Sequence, residues 1–479
     1  MLNSRNSPYN YSPNLSIMKK IYTLFFLLAC VFFGHEAFAQ NPLPKYQRSS
    51  LHMILLTTDE PALAGESEDF TTNINEAWQS YPFPDKYDQH KINFVTGYGG
   101  KPKGTINELI TRFQTGLSGM SIKDLKELSE NLSGNKKYNA FLTDTTQIML
   151  REQKVGQMLL RKWFSIADDG SWSGDLIGKR SAYNATQANI AEATSTVRGL
   201  QAITDAGEDL IGSTFVSFSK LSFYKNEPIA AFSRDVAIAI AQLDPTGFAG
   251  PAAITAANTA YDMTHLGYSA ATTTILYRLV WNDSIKNVFY STFENGKINM
   301  EKFNQIDFPF ELVGLTKTTS STFDVKGGLA KAIGLDQLKD SLVKPSDELI
   351  QQTIIRNLDK SFADLQSKYD VFKPLIQITT VDEANKMILA DMGLKESVKD
   401  NDQFEILEVV QDPKTNKLTY KPNGTLKVVK GKVWDNRYAL TDEAKNKQAE
   451  AGNLHGTQLS WNKNVQPGTV IRLVTKKKK

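Results

Sequence analysis

Residues 18–40, MKKIYTLFFLLACVFFGHEAFAQ, hold an apolar stretch from Ile21 to Phe33. Lys19 and Lys20 precede it, and Ala37-Phe38-Ala39 follows with small residues at both ends. This three-part layout predicts a secretory signal cleaved after Ala39, with Gln40 as the first mature residue. The apolar run is too short and wrongly flanked for a stable spanning helix. The polar residues 1–17 have no place in such a signal, so Met18 is the expected start. A lipidation route competes. Leu27-Leu28-Ala29-Cys30 has the form of a lipobox, with Cys30 as the lipidated residue. The continuation Val31-Phe32-Phe33 is awkward directly after a lipidated cysteine. Either route predicts an exported protein, periplasmic or associated with the outer membrane.

Cys30 is the sole cysteine of the 479 residues. Its removal with the signal excludes disulfides, thiol nucleophiles and cysteine metal ligands from the mature chain. The same cut removes Arg5, Lys19, Lys20 and Glu36. The count of 55 basic and 52 acidic residues thereby becomes 52 and 51, and the net charge falls from +3 to +1. No broad basic field remains to attract nucleic acid. Hydrophobic residues at 41% and charged residues at 22% indicate a folded chain. The most concentrated basic feature is the tail Lys476, Lys477, Lys478 and Lys479. It reads as a solvated terminus. Its sharper reading is a weak, salt-sensitive contact with anionic lipid, worth about 1 kcal/mol per lysine.

Periodicity outlines the elements. Leu51–Leu56 is a buried strand, and Phe70, Ile74, Ala77 and Trp78 mark an amphipathic helix that Pro82 and Pro84 end. Ile92–Thr96 predicts a second strand, followed by a glycine loop and a helix near 105–117; Ser121 opens another. Residues 144–165 predict one long helix with Ile148, Val155, Met158, Leu159 and Trp163 on one face. An Ala-rich helix is expected at 185–211, with a strand at 213–218. Residues 236–260 predict a buried helical hairpin, broken at Asp244-Pro245 and Gly250-Pro251. Thr272–Trp281 and Phe310–Lys317 are β-prone, and a helix is expected from Asp347 to Phe372. Beyond residue 378 come short strands at 386–390, 404–410, 418–420, 425–429 and 469–474, with a hairpin loop at Asp412–Lys417. Such spacing suggests a small barrel.

The C-terminal segments Gly393-Leu394-Lys395, Phe404–Leu407, Gly424–Val428, Gln466-Pro467-Gly468 and Val470-Ile471-Arg472 carry a resemblance. They are similar to a small β-barrel module of bacterial envelope proteins, including the flagellar assembly protein T group. That resemblance implies a structural or docking role. Leu160–Phe164, Asp205–Ile211 and Leu276–Asn282 resemble a family of secreted Bacteroidetes envelope proteins. It implies a shared fold and an envelope location, and supplies no activity or functional residue to transfer.

Motifs with catalytic associations are incomplete. The loop Gly97–Thr105 follows a strand as a phosphate loop would, but no lysine follows Gly104. His52, His90, His265 and His455 lack metal-ligand spacing. Gly170-Ser171-Trp172-Ser173-Gly174 has Trp172 where a nucleophile elbow needs serine. Asp168-Asp169-Gly170 lacks the remaining ligands of a calcium loop. Glu208 and Asp209 are adjacent on a helix and point apart. Trp172 and Trp461 are the tryptophans expected to be exposed. No catalytic, cofactor-binding or metal residue is therefore assigned, and no cofactor is expected.

The expected architecture is α+β. Residues 1–39 are the extension and signal, 40–118 a small α/β layer, and 119–345 a mainly helical middle with a few strands. Residues 346–378 form a long connecting helix, and 379–479 a small β-barrel with its basic tail. The expected function is a non-catalytic envelope scaffold that binds other envelope proteins. An accessory part of an outer-membrane or secretion assembly is one alternative. A glycan or peptide hydrolase with a spatially assembled site is another.

Overall fold

The computed structural model describes residues 49–59, 70–101, 136–180, 210–243, 247, 250–265, 268–321, 347–411, 418–436 and 456–474. The signal segment with Cys30 lies outside the described residues, as do the helices expected at 105–117 and from Ser121 and nearly all of 185–211. So do Glu208, Asp209, His455, the loop Asp412–Lys417 and the tail Lys476–Lys479.

Along the chain come β1 (Ser50–Thr57), α1 (Thr71–Ser80), β2 (Asp88–Gln89), β3 (Thr96–Tyr98), α2 (Lys136–Glu152), α3 (Val155–Trp163), α4 (Asp175–Arg180) and β4 (Thr214–Lys225). Then follow α5 (Glu227–Gln242), α6 (Gly250–Thr264), β5 (Tyr268–Leu279), α7 (Asp283–Tyr290), β6 (Phe293–Glu294), β7 (Lys297–Ile298), α8 (Met300–Gln305), β8 (Phe310–Ser321) and α9 (Asp347–Lys368). The last are β9 (Ile376–Asp382), β10 (Met387–Ala390), β11 (Gln403–Gln411), β12 (Leu418–Lys427), β13 (Thr457–Leu459) and β14 (Val470–Val474).

The main sheet runs β2-β1-β4-β5-β8, with β3 also beside β1. β1 is parallel to β2, β3 and β4, whereas β4–β5 and β5–β8 are antiparallel. Alternating side chains give the sheet two apolar faces. Ile54, Leu56, Val216, Phe218, Ile275 and Tyr277 pack on Leu142 and Leu150 of α2 and Val155 and Leu159 of α3. On the other face, Leu55, Leu221, Phe223 and Ala270 meet α1 and Ile350, Ile354 and Leu358 of α9. Leu51, Phe215 and Leu276 meet Phe362 and Leu365 of the same helix. Helices thus cover both faces. Strands from 50–98 and 214–321 share this sheet, so the few strands of the middle region, β4, β5 and β8, extend the sheet begun by β1, and its helices pack around them.

Asn357 pins α9 to the sheet. Fully buried, its Nδ2 donates toward Ala270 O at 3.1 Å, Thr272 Oγ1 at 2.9 Å and Thr318 O at 3.2 Å. Replacing Asn357 with alanine is expected to cost about 2 kcal/mol, because it removes these bonds and leaves a void. A lower denaturant midpoint at unchanged slope is the expected readout.

The outer strand β8 is guarded by the same helix. Leu315 N–H donates to Tyr369 Oη at 3.1 Å, and that hydroxyl lies 3.2 Å from Leu315 O. Lys360 Nζ donates to Thr319 O at 2.7 Å. Gly314 makes room: a Cβ there would stand 2.0 Å from the Tyr369 ring.

Three expected elements differ. The helix at 144–165 is two helices, broken where Lys154 takes φ +51°. Ile148 is consequently 45% exposed, while Trp163 enters an aromatic cluster with Phe164, Phe289, Phe303 and Phe308. The strand at 92–96 begins only at Thr96. Between β2 and β3 the chain leaves the ladder, and His52 of β1 reaches His90 O at 2.9 Å and Phe94 O at 2.5 Å instead. The hairpin of α5 and α6 forms as expected, but most of α6 is exposed instead of buried.

The C-terminal sheet has the order β12-β11-β14-β9-β10-β13, antiparallel throughout. Ile376, Ile388, Phe404, Leu426, Leu459 and Ile471 form its core. β9 and β13 were not among the expected strands. The strand ladders do not close into the expected barrel. The two outer strands nevertheless approach each other. Val428 pairs with Leu459 in an isolated bridge, Ser460 N donates to Lys427 O at 2.7 Å, and Val429 N donates to Gln458 O at 3.0 Å.

Candidate functional site

The two carboxyls whose pKa is raised by burial meet where α9 faces the C-terminal sheet. Three pieces of chain build this junction. Pro82 and Pro84 end α1 and send Tyr81–Tyr87 across as irregular backbone. α9 presents Asp359 on its buried face. A 3-10 turn at Leu394–Glu396, between β10 and β11, supplies Lys395 and Glu396.

Lys86 is only 4% exposed, with Nζ 2.9 Å from Asp391 Oδ2 and 3.2 Å from Asp85 Oδ2. Burial alone would lower its pKa; Asp85, Asp391 and Glu396 outweigh that and hold it above the ordinary lysine value. Asp359 is 5% exposed. Its Oδ1 accepts from Tyr81 Oη at 2.9 Å and faces Lys395 Nζ at 3.8 Å. Its Oδ2 is buried with no partner among the described residues. Burial pushes Asp359 up to about 6, against the pull of Lys395 and Tyr81. Glu396, also 5% exposed, accepts at Oε2 from Gly393 N at 2.8 Å and Asn436 Nδ2 at 2.9 Å. Burial raises its pKa too, opposed by those two bonds. Tyr87 completes the seam: its hydroxyl donates to Phe372 O at 2.6 Å and its ring stacks on Phe372 at 4.6 Å. A carboxyl near 6 suits proton exchange at neutral pH. Asp359 is too enclosed to meet a substrate, so the arrangement suits holding two parts of the chain together.

A second unusual group lies on the α2 face of the sheet. Lys220, 9% exposed, donates to Ser222 Oγ. Thr273 stands between Lys220 and Lys317 in the strand register. The Tyr138 ring lies 6.0 Å from the Lys220 ammonium and 5.4 Å from that of Lys317. Burial, reinforced by Lys317, lowers Lys220 to about 7. An amine with that pKa is partly neutral and nucleophilic. Its enclosure within the sheet face keeps it from bulk solvent.

The two buried histidines belong to the core. His90 Nε2 lies 3.2 Å from Leu159 O, so it carries the proton, and Nδ1 accepts from Arg180 at 3.1 Å. Arg180 also donates to Ser50 Oγ and Gln89 O. Burial first, then Arg180 and His52, lower His90 to about 3. His52 faces two carbonyls, and burial lowers its pKa as well.

Gly97 and Tyr98 of the glycine loop belong to β3, and residues 102–105 lie outside the described residues. Trp172 packs edge-on against Phe293 and donates to Gly296 O at 3.2 Å. Trp461 packs on the C-terminal core. Both are half-buried instead of exposed. Asp169 is held by Lys297 at 2.8 Å and by Ser171, which together lower its pKa. Gly170 takes φ +80° there, with Ile298 O 2.2 Å from where a Cβ would stand. His265 stacks on Tyr261, far in sequence from the other histidines. Among the described residues, no three His, Cys, Asp or Glu side chains gather in a set that could hold a metal ion. No described helix is long and apolar enough to cross a membrane.

Sequence inspection missed Asp359, Glu396, Lys86 and Lys220. Two carried a signal. Asp359 interrupts the apolar stripe formed by Ile354, Leu358 and Phe362, and Lys220 interrupts the apolar strand around Phe218 and Leu221. No protein-family model matches the chain. No curated protein matches it either.

Proposed function

We propose that the protein is an exported, non-catalytic scaffold of the cell envelope that binds other envelope proteins. The observation that supports this reading is the charged junction. Lys86 with Asp391 and Asp359 with Lys395 join the main sheet's layers to the C-terminal part, and Tyr87 on Phe372 anchors the segment that carries Lys86. Glu396 Oε2 and Asp359 Oδ1 are engaged in internal bonds, and both side chains are enclosed. Two parts of the chain tied to each other by internal bonds suit a scaffold.

Within this reading the C-terminal part acts as a small barrel. The Val428–Leu459 bridge and its flanking bonds would close the seam between β12 and β13. The signal at 18–40 directs export, and Lys476–Lys479 adds a weak contact with anionic lipid. An accessory role in an outer-membrane assembly is a second reading, favoured by the exposure of α6.

Crosslinking in intact cells, with peptides identified by mass spectrometry, tests the proposal. Crosslinks to envelope proteins are expected, with the chain released by carbonate and starting at Gln40. Turnover of a glycan or peptide by the purified chain would overturn the non-catalytic reading. Retention in carbonate-washed membranes would favour the assembly reading.

A further inference from the structure

We propose that the contact between α9 and the C-terminal sheet is a latch operated by protonation, tightening as the medium turns acid and loosening toward neutral pH. The geometry supplies the parts. Asp359 carries a buried carboxylate oxygen that no described residue bonds. It faces Tyr81 and Asp85 from the segment after α1, and Lys395 and Glu396 from the turn Leu394–Glu396, with Lys86 acting on Glu396 and Asp85. Asp391 and Asn436 complete the surroundings through Lys86 and Glu396. The nearest chain connection between the two sides is short: Lys373, Pro374 and Leu375 separate the last helical turn from β9. The two sides can therefore part slightly without separating.

The sign follows from burial. An ionised Asp359 in the closed seam is shielded from bulk water and has no partner for one oxygen among the described residues. Protonation removes that charge, and Glu396 responds in the same direction. The closed seam binds the proton more tightly than the open one. Closure is most favoured below the ordinary carboxylate range, and that advantage is lost as pH rises through about 6. From an ordinary value of 3.8 to about 6 is two units, or roughly a hundredfold in the open–closed equilibrium. Burial of His90 and His52 acts oppositely on the whole fold in an overlapping range. Global melting therefore cannot report the latch; a local probe can.

Hydrogen exchange by mass spectrometry on the full mature chain, from pH 4.5 to 7.5, supplies that probe. Rates are corrected for the intrinsic pH dependence of exchange. Peptides covering 81–87 and 391–398 are read against β4 and β5. Seam peptides are expected to gain protection on acidification, up to the hundredfold limit, while β4 and β5 do not. Asp359→Asn should bring neutral-pH protection close to the acid level and flatten the dependence, and Glu396→Gln should do so in part. Seam protection that is constant with pH, or that falls in acid, overturns the proposal from the wild-type series alone. An Asp359→Asn chain that keeps the wild-type pH dependence also overturns it.

Discussion

Substitution of Trp163 by alanine is expected to destabilise the fold by about 3–5 kcal/mol. Trp163 is fully buried at the end of α3, among the largest enclosed side chains of the protein. Three separate contacts meet on it. Its Nε1 donates to Thr214 Oγ1 at 2.9 Å, tying α3 to the first residue of β4. Its ring lies 4.9 Å from the His90 ring and 5.1 Å from the Arg180 guanidinium. Alanine would leave a cavity that α3, α4 and β4 would all have to collapse into. It would also remove the donor to the buried Thr214 hydroxyl, which keeps only its bond to Leu210 O, and unsupport Arg180, which reaches Ser50 and Gln89. Urea titration followed by circular dichroism measures the loss. A change below about 1 kcal/mol would contradict this account of the cluster. Trp163→Phe keeps most of the volume and should cost less than half as much.

The second large effect is acid destabilisation through His90. In the folded chain its pKa is about 3, against an ordinary 6.5. A depressed folded value means that the unfolded chain takes up the proton first. The contribution to stability is complete above pH 6.5, declines as pH falls, and is exhausted near pH 3. The full span of that shift corresponds to about 4–5 kcal/mol. The cause is plain: a fully buried imidazole beside the Arg180 guanidinium cannot accommodate a second positive charge. His90→Gln tests it without removing the hydrogen-bonding pattern, since glutamine can donate toward Leu159 O and accept from Arg180. Its stability should vary much less between pH 6.5 and 4 than that of the wild type. A variant profile parallel to the wild type would assign the acid sensitivity elsewhere.

Much of the fold was legible because it obeys periodicity. β1, β5, β8, α1 and α9 lie where alternation or helical spacing put them. The departures have local causes. No residue type at Lys154 announces a left-handed turn, yet that turn divides the helix between α2 and α3. The edge of β1 is split where the His52 ring, set between the His90 and Phe94 carbonyls, takes the place of ladder pairing, and pairing rules do not register side-chain substitutes. Strand order was invisible for another reason. β4, from 116 residues beyond the end of β3, lies against β1, and such long-range pairing leaves no mark on a local pattern. The junction was concealed for the same reason. Lys86 and Asp391 are separated by 305 positions, and neither is unusual until the fold encloses them. Only Asp359, a charge in an apolar stripe, hinted at a special environment.

The Tyr369 hydroxyl on β8 has a consequence for how this sheet can meet other molecules. A long outer strand is a template onto which a second chain can knit its own backbone. Here the Leu315 main chain is already taken by Tyr369, the Thr319 carbonyl by Lys360, and Gly314 lets the ring lie flat against the rim. At the opposite rim, β2 and β3 hold only two and three residues. The sheet is thus blunted on both sides against knitting into fibres or swapped dimers. The partner proposed above would therefore have to be recognised by side chains on loops and helices, whose identity can change without disturbing the ladder beneath.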